Sequence, residues 1–267
     1  MVTDNQVPNG VKKIIDEAIT LYGRSPKIVN QSSIPDTTDI PIEDPCQWLK
    51  IPDVICTFVD MRGSTLLSAH LHDKATARAY QLFTGTAVRI FSEFEAPYID
   101  VRGDGVLALF NEDQPHRALA AAVTFRTFSE LEFIPRVREK TGLDVGSHVG
   151  IDMRTVLVRK IGLKKYSGRS DRQNEVWAGR PVNMASKLSS VSGDNEILAS
   201  DRYFKKLSSP YALQSCGCPN DEVVDLWKEK DVSQDARFDF DTAHFLESCW
   251  CKNHGKECCK ELLDADD

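Results

Sequence analysis

The sequence has no run of about 18 apolar residues, so no helix is expected to span a membrane. Its first residues, MVTDNQVPNG, lack a basic segment followed by an apolar stretch, and no secretory signal is expected. Positive charge is in deficit: 33 Lys and Arg face 40 Asp and Glu, a formal net charge of −7. A broad nucleic-acid surface needs clustered cations to neutralise phosphates, so that partner is set aside, although one local anion site is not. Internal repeats and low-complexity segments are also missing, which excludes a solenoid array. The expectation is a soluble, cytoplasmic protein with neither membrane nor nucleic acid as partner.

What is present is ordinary globular material. At 267 residues the chain is long enough for one sizeable domain with extensions, and 41% hydrophobic residues can fill a core without help from disulfides. Residues 1–50 read as a leader arm. Gly10 to Tyr22 has helical periodicity, with Val11, Ile14, Ile15, Ala18 and Leu21 on one face, and Ser25 to Pro45 is a loop rich in Pro, Asp, Ser and Thr. Two readings of the arm stay open: a dispensable extension, or a segment packed on the domain or on a partner subunit.

Residues 51–210 carry a regular pattern. DVICTFVDM is an apolar run ending in an acid, which suits a buried strand. Ser64 to Phe94 is expected to be one long helix stopped by Pro97, and YIDVRGDGVLALF a hairpin turned by Gly103-Asp104-Gly105. A second helix is expected from Pro115 to Glu139, followed by two strands (DVGSHVGIDM and TVLVRKIG), a polar loop (KKYSGRSDRQ), a short helix (RPVNMASKLSSV) and a strand (EILAS). The order β-α-β-β-α-β predicts an α+β fold: a ferredoxin-like antiparallel sheet with both helices on one face. Residues 211–267 form a cysteine-rich C-terminal extension.

Two carboxylates stand out. Asp60 ends the first strand and Asp104 sits in a hairpin turn 44 residues later. In a split βαβ sheet those strands are neighbours, so the two acids can converge at one end. Paired carboxylates with few other ligands suit Mg²⁺ or Mn²⁺, and two such ions about 3.5–4 Å apart can activate an attacking oxygen and stabilise a departing one. Met61-Arg62-Gly63-Ser64-Thr65 follows at once, where strand becomes helix. Free backbone N–H groups at that helix start can cradle a triphosphate, and Gly63 allows close approach. Either aspartate alone would read as a turn residue or a helix cap; the combination points to phosphoryl chemistry.

These segments resemble a known family. FVDMRGST is similar to the first metal motif of the class III adenylate and guanylate cyclases, and VRGDGVLALF to the second. VGIDMRTVLVRKIG is similar to their paired glycine-rich strands, and AGRPVNMASKL to their transition-state helix. The resemblance implies a head-to-tail homodimer with composite sites that closes a nucleoside triphosphate into a cyclic monophosphate. Asp60, Asp104 and the Met61 carbonyl of one subunit would hold two metal ions. Asn183 and Lys187 of the other would orient the ribose and stabilise the phosphate in flight. Lys187 stands where the family has arginine, and lysine lacks the planar fork. Arg154 and Arg159 stand where glycines are usual. Arg159 is a candidate helper cation, and a surface salt bridge is the plain reading of both.

The base-selecting positions also depart from the purine cyclases. They are Asp100 and Val176, and Arg102 shares the strand face of Asp100. An arginine donor beside an aspartate acceptor suits uracil, with its carbonyl oxygens and N3–H, better than adenine. Together with the leader, this resembles the stand-alone pyrimidine cyclases of the bacterial Pycsar anti-phage system. That implies UTP as first substrate and CTP as second, with a cyclic product read by a separate effector. An ordinary adenylate cyclase and a catalytically dead nucleotide-binding module are the alternatives.

The tail adds Cys216, Cys218, Cys249, Cys251 and His254 as candidate zinc ligands, with Cys258 and Cys259 close by. Short C-x-C and C-x2-H spacings can supply a tetrahedral Zn²⁺. Reduced cysteines that merely pack are the other reading.

Overall fold

The computed structural model describes residues 2–3, 5–162 and 173–267. The polar stretch KKYSGRSDRQ, apart from Gln173, lies outside the described residues. In chain order the first elements are α1 (Asn9–Tyr22), β1 (Lys27–Asn30), β2 (Gln47–Arg62), α2 (Ser64–His70) and α3 (Asp73–Glu93). Next come β3 (Tyr98–Arg102), β4 (Gly105–Phe110), α4 (Pro115–Phe128), α5 (Ile134–Thr141), β5 (Gly146–Gly162) and β6 (Gln173–Ala178). The last are α6 (Arg180–Val191), β7 (Ile197–Ser200), α7 (Asp201–Phe204), α8 (Pro210–Leu213), β8 (Trp227–Asp231), β9 (Thr242–Leu246) and α9 (Gly255–Leu263). Among the described residues no helix is long and apolar enough to cross a membrane.

The chain forms two units, and β2 and β5 run from one into the other. The smaller holds residues 1–51 and 157–178. In it β1 lies parallel to the start of β2, Lys27 opposite Gln47, and the end of β5 pairs antiparallel with β6, Leu157 opposite Ala178. The two readings of the arm divide here. The loop is packed: Ile34 and Ile40 are buried, Lys160 N donates to Pro41 O at 3.0 Å, and the Arg159 guanidinium donates to Pro45 O while lying over the Trp48 ring. Helix α1 has no buried residue, and its Val11 and Ile14 are exposed.

The larger unit, 52–156 and 179–267, carries the sheet in the order β3-β4-β2-β5-β7-β9-β8. The first four strands in that order are the ferredoxin-like arrangement the sequence predicts. Strand alternation sorts their side chains. Ile55, Val59 and Met61 of β2, Val106, Ala108 and Phe110 of β4, and Val149, Ile151 and Met153 of β5 all join one core with α3 and α4. Its centre is aromatic: Phe83 meets Phe125 edge-on at 5.1 Å between ring centroids, and Phe133 at 5.1 Å. The opposite face is covered by α6, whose Leu188 packs with Leu198, Val232 and Ala243.

Two expectations are corrected. The helix expected over Ser64 to Phe94 is two helices, interrupted where Leu71 and His72 turn extended. Neither residue is a helix breaker by itself; the Leu67 carbonyl is satisfied by Leu71 N at 3.1 Å and Thr76 Oγ1 at 3.3 Å, and Asp73 opens the second helix at its positive end. The two strands expected in DVGSHVGIDM and TVLVRKIG are one strand of 17 residues, because no Gly, Pro or Asn interrupts Met153 to Val156.

The C-terminal residues are built into this unit. Helix α4 has no capping side chain of its own at Gln114. Asp266 supplies one, accepting from His116 N at 3.1 Å and Arg117 N at 2.6 Å. Asp266→Ala is expected to cost about 2 kcal/mol, a lost cap plus buried donors left unpaired. Urea unfolding measures it, and a loss below about 0.5 kcal/mol would contradict this role.

Candidate functional site

Asp60 lies between Val59 and Met61, which both point into the helix-covered core, so its carboxylate projects from the opposite face of the sheet. Register then fixes its neighbours. Val59 stands opposite Val106, and Asp60 Oδ1 lies 3.2 Å from the position a Cβ on Gly105 would take. Asp104, the residue before Gly105, fills the turn that Gly103 opens with φ +68. Burial first, and then the charge of Asp104, push the Asp60 carboxyl up to about 6, partly offset by a hydrogen bond from the Met61 backbone. Two carboxylates placed this close are a donor set that suits a hard divalent cation.

Strand β2 hands over to α2 at Gly63, whose φ is +86 and whose missing Cβ would stand 2.9 Å from Asp144 O. Only glycine fits both conditions. The turn places Ser64 and Thr65 at the head of α2, with backbone N–H groups that the helix itself does not use. Arg62 is differently engaged: its guanidinium donates to Asp144 Oδ2 at 3.0 Å and Val145 O at 3.2 Å, and it pairs with Asp194 at 2.9 Å. Two carboxylates therefore hold the side chain expected to meet a triphosphate.

Asp100 and Arg102 share the face of Asp60. They stand opposite Leu107 and Gly105, and Arg102 Nε donates to Asp100 Oδ2 at 2.8 Å. Val176 lies in the other unit, on β6, opposite Arg159.

Asn183 and Lys187 sit one turn apart on α6. Asn183 is exposed, and Lys187 Nζ donates to Arg237 O at 2.9 Å. Arg154 has the plain role: it pairs with Asp239 at 2.9 Å. Arg159 is not a free cation, since it is 7% exposed and held by Pro45 O, Lys160 O and Trp48. What sequence reasoning missed is Arg180, which pairs with Asp239 at 2.7 Å beside Arg154 and Arg202. A signal was present: positions 180, 183 and 187 recur at helical spacing and share one face of α6. Arg202 in turn holds the buried Asp152 through two bonds at 2.7 and 2.5 Å, which ties the start of α6 to β5.

In the tail the structure brings Cys216, Cys218, Cys251 and His254 together. Cys249 is corrected out of the set: it contacts Arg126 Nη1 at 2.5 Å and Glu130 Oε2 at 3.1 Å. Trp250, between the two cysteines, is fastened to α4 by Thr124 Oγ1 at 2.7 Å and Thr127 Oγ1 at 3.0 Å, which keeps Cys249 against that helix while the chain beyond carries Cys251 away.

A uridylate cyclase of Propioniciclava tarda is 36% identical over 253 residues, covering 92% of this chain and 80% of that protein. A uridylate cyclase of Micromonospora echinofusca is 31% identical over 254 residues, covering 93% and 81%. The chain belongs to the uridylate cyclase family. No protein-family model matches it. Its fold is that of the class III cyclases. The adenylyl cyclase CyaB of P. aeruginosa aligns with a TM-score of 0.57 at 19% identity, over 74% of this chain and 94% of that one. The guanylyl cyclase Cya2 aligns with a TM-score of 0.58 at 19% identity, over 74% and 91%.

Proposed function

We propose that this member of the uridylate cyclase family is a pyrimidine nucleotide cyclase that converts UTP to 3′,5′-cyclic UMP and pyrophosphate. The observation that carries this reading is the meeting of Asp60 and Asp104 on the sheet face that also presents the Asp100–Arg102 pair. Asp60 and Asp104, with the Met61 carbonyl, would hold Mg²⁺ or Mn²⁺. When bound, two such ions would supply the charge that activates the 3′-oxygen and stabilises the departing pyrophosphate.

The chain's own groups do the rest. Backbone N–H groups from Gly63 to Thr65 orient the triphosphate. Arg102 donates to a uracil carbonyl and Asp100 accepts from N3–H. In a head-to-tail homodimer, Asn183 and Lys187 of the second subunit orient the ribose and neutralise charge on the α-phosphate. Arg180, on the same face of α6, adds the planar guanidinium that Lys187 lacks. The resemblance to the anti-phage pyrimidine cyclases supports a cytoplasmic second-messenger role, the cyclic product being read by a separate effector.

Incubation with each of the four nucleoside triphosphates and Mn²⁺ or Mg²⁺, followed by mass identification of products, tests this reading. Cyclic UMP is expected as the main product. Cyclic AMP as main product would overturn the pyrimidine assignment, and cyclic CMP would move the substrate to CTP. No cyclic product under any condition would leave a nucleotide-binding module in place of the enzyme.

A further inference from the structure

The cysteine-rich end of the chain contains a cluster that the cyclisation does not use. Cys216 and Cys218 lie on the segment between α8 and β8, and Cys251 and His254 on the segment leading into α9. One ligand atom from each of the four lies within 4.8 Å of all the others, and Cys218 Sγ is 3.2 Å from His254 Nδ1. All eight cysteines are free thiols, so no disulfide accounts for the convergence. A tetrahedral zinc with Zn–S of about 2.3 Å sets its sulfurs about 3.7 Å apart. The observed spread is therefore a coordination shell that needs only a small contraction.

Three further features favour a metal over packed thiols. Gly217 adopts φ +83 between the two cysteines of the first segment, a turn that brings both sulfurs to one side. The Asn253 amide Nδ2 donates to the Cys218 sulfur at 3.9 Å, as outer donors do around a metal-bound thiolate. Cys216 is exposed and the other three ligands are half-buried, so they do not gather for want of a core to fill. Three sulfurs and an imidazole exclude Mg²⁺ and Ca²⁺, which prefer oxygen, and four protein ligands leave no position for water or substrate.

We propose that Cys216, Cys218, Cys251 and His254 bind one Zn²⁺ in a closed structural site that staples the segment before β8 to the start of α9. The ion fastens one end of a helix whose other end is held by Leu262 in the core and by Asp266 at the start of α4. The ion thereby closes the base of the Cys216–His254 segment, whose strands β8 and β9 pair with the sheet.

The test is metal analysis of the full chain purified under reducing conditions without chelator. Wild type and Cys249→Ser are expected to carry about one equivalent of zinc, and Cys251→Ser less than about a tenth. Should Cys251→Ser be insoluble, Co²⁺ exchange into the wild type gives a second reading: the visible bands of tetrahedral cobalt with thiolate charge transfer. Chelation is further expected to lower the melting temperature by about 5 °C or more. Wild type with less than about a tenth of an equivalent, cobalt spectra of octahedral type, or zinc lost from Cys249→Ser but kept by Cys251→Ser would each overturn the proposal.

Discussion

Asp60→Asn is expected to lower the rate of cyclisation at least about 10³-fold while leaving the protein folded. The size follows from the position. Asp60 and Asp104 are the two acids the sheet brings together at this end, and an amide cannot carry the charge that a divalent cation needs. That the fold survives follows from the electrostatics. Burial and Asp104 raise the Asp60 carboxyl from 3.8 to about 6, so the folded metal-free protein holds that charge reluctantly.

The sign can be worked through. Between 3.8 and about 6 the folded state binds more protons at this position than the unfolded chain does, so stability is fully present below 3.8 and falls as pH rises through about 6. Asparagine does not titrate. With chelator present, the variant is therefore expected to melt above the wild type at pH 7.5, and the difference to vanish near pH 4. Adding Mg²⁺ or Mn²⁺ should raise the melting temperature of the wild type alone. Melting curves across this pH range check the account. A variant that keeps more than about a tenth of the activity, or that melts well below wild type at neutral pH, contradicts it.

Gly150→Ala has the largest expected effect on folding. Gly150 sits on β5 between Val149 and Ile151, so it faces α6 and not the aromatic core. A Cβ there would stand 2.0 Å from Ala185 O and 2.5 Å from Ser189 N, both backbone atoms of α6. Backbone cannot rotate away as a side chain can. The helix would have to lift, pulling Leu188 from its cluster with Leu198 and straining the ion pair of Arg180 with Asp239. A loss of about 4 kcal/mol or more is expected, or an insoluble chain. Any folded fraction should also lose activity, because the same movement displaces Asn183 and Lys187. Gly85→Ala is the control. That glycine lies inside α3 with nothing within 4 Å of an added Cβ, so the same change is expected to stabilise by about 0.5–1 kcal/mol. Urea midpoints for the two variants should move in opposite directions. An unchanged midpoint for Gly150→Ala would show that α6 does not rest on β5 as described.

Much of the local structure around Asp60 and Asp104 was legible because its signals are short. A strand with Asp60 near its end, a glycine at the strand-to-helix turn, and a Gly-Asp-Gly hairpin each depend on a handful of adjacent residues. The helix expected over RPVNMASKLSSV is α6 to the residue, since Gly179 and Pro181 mark its start. The break at Leu71 and His72 was not legible. It has no glycine or proline, and a carbonyl satisfied by the side chain of Thr76 replaces them. Cys249 could not be separated from Cys251 by spacing, because which sulfur meets Cys216 depends on where two distant segments come to rest.

Sequence alone determined the β-α-β-β-α-β order from β2 to β5, apart from the break in its first helix, and the placing of Asp60 and Asp104 near the ends of neighbouring strands. Periodicity, turn residues and charge act over a few positions, and β-α-β-β-α-β order restricts the sheet to few topologies. Tertiary structure decided the partners. Arg159 is spent on Pro45, 114 residues away, and Arg180 meets Asp239 across 59 residues. Four of the tail's soft ligands converge while Cys249 turns to Arg126. Such pairings carry no local signal, because they are settled only when the whole chain has closed and each buried charge has found its counterpart.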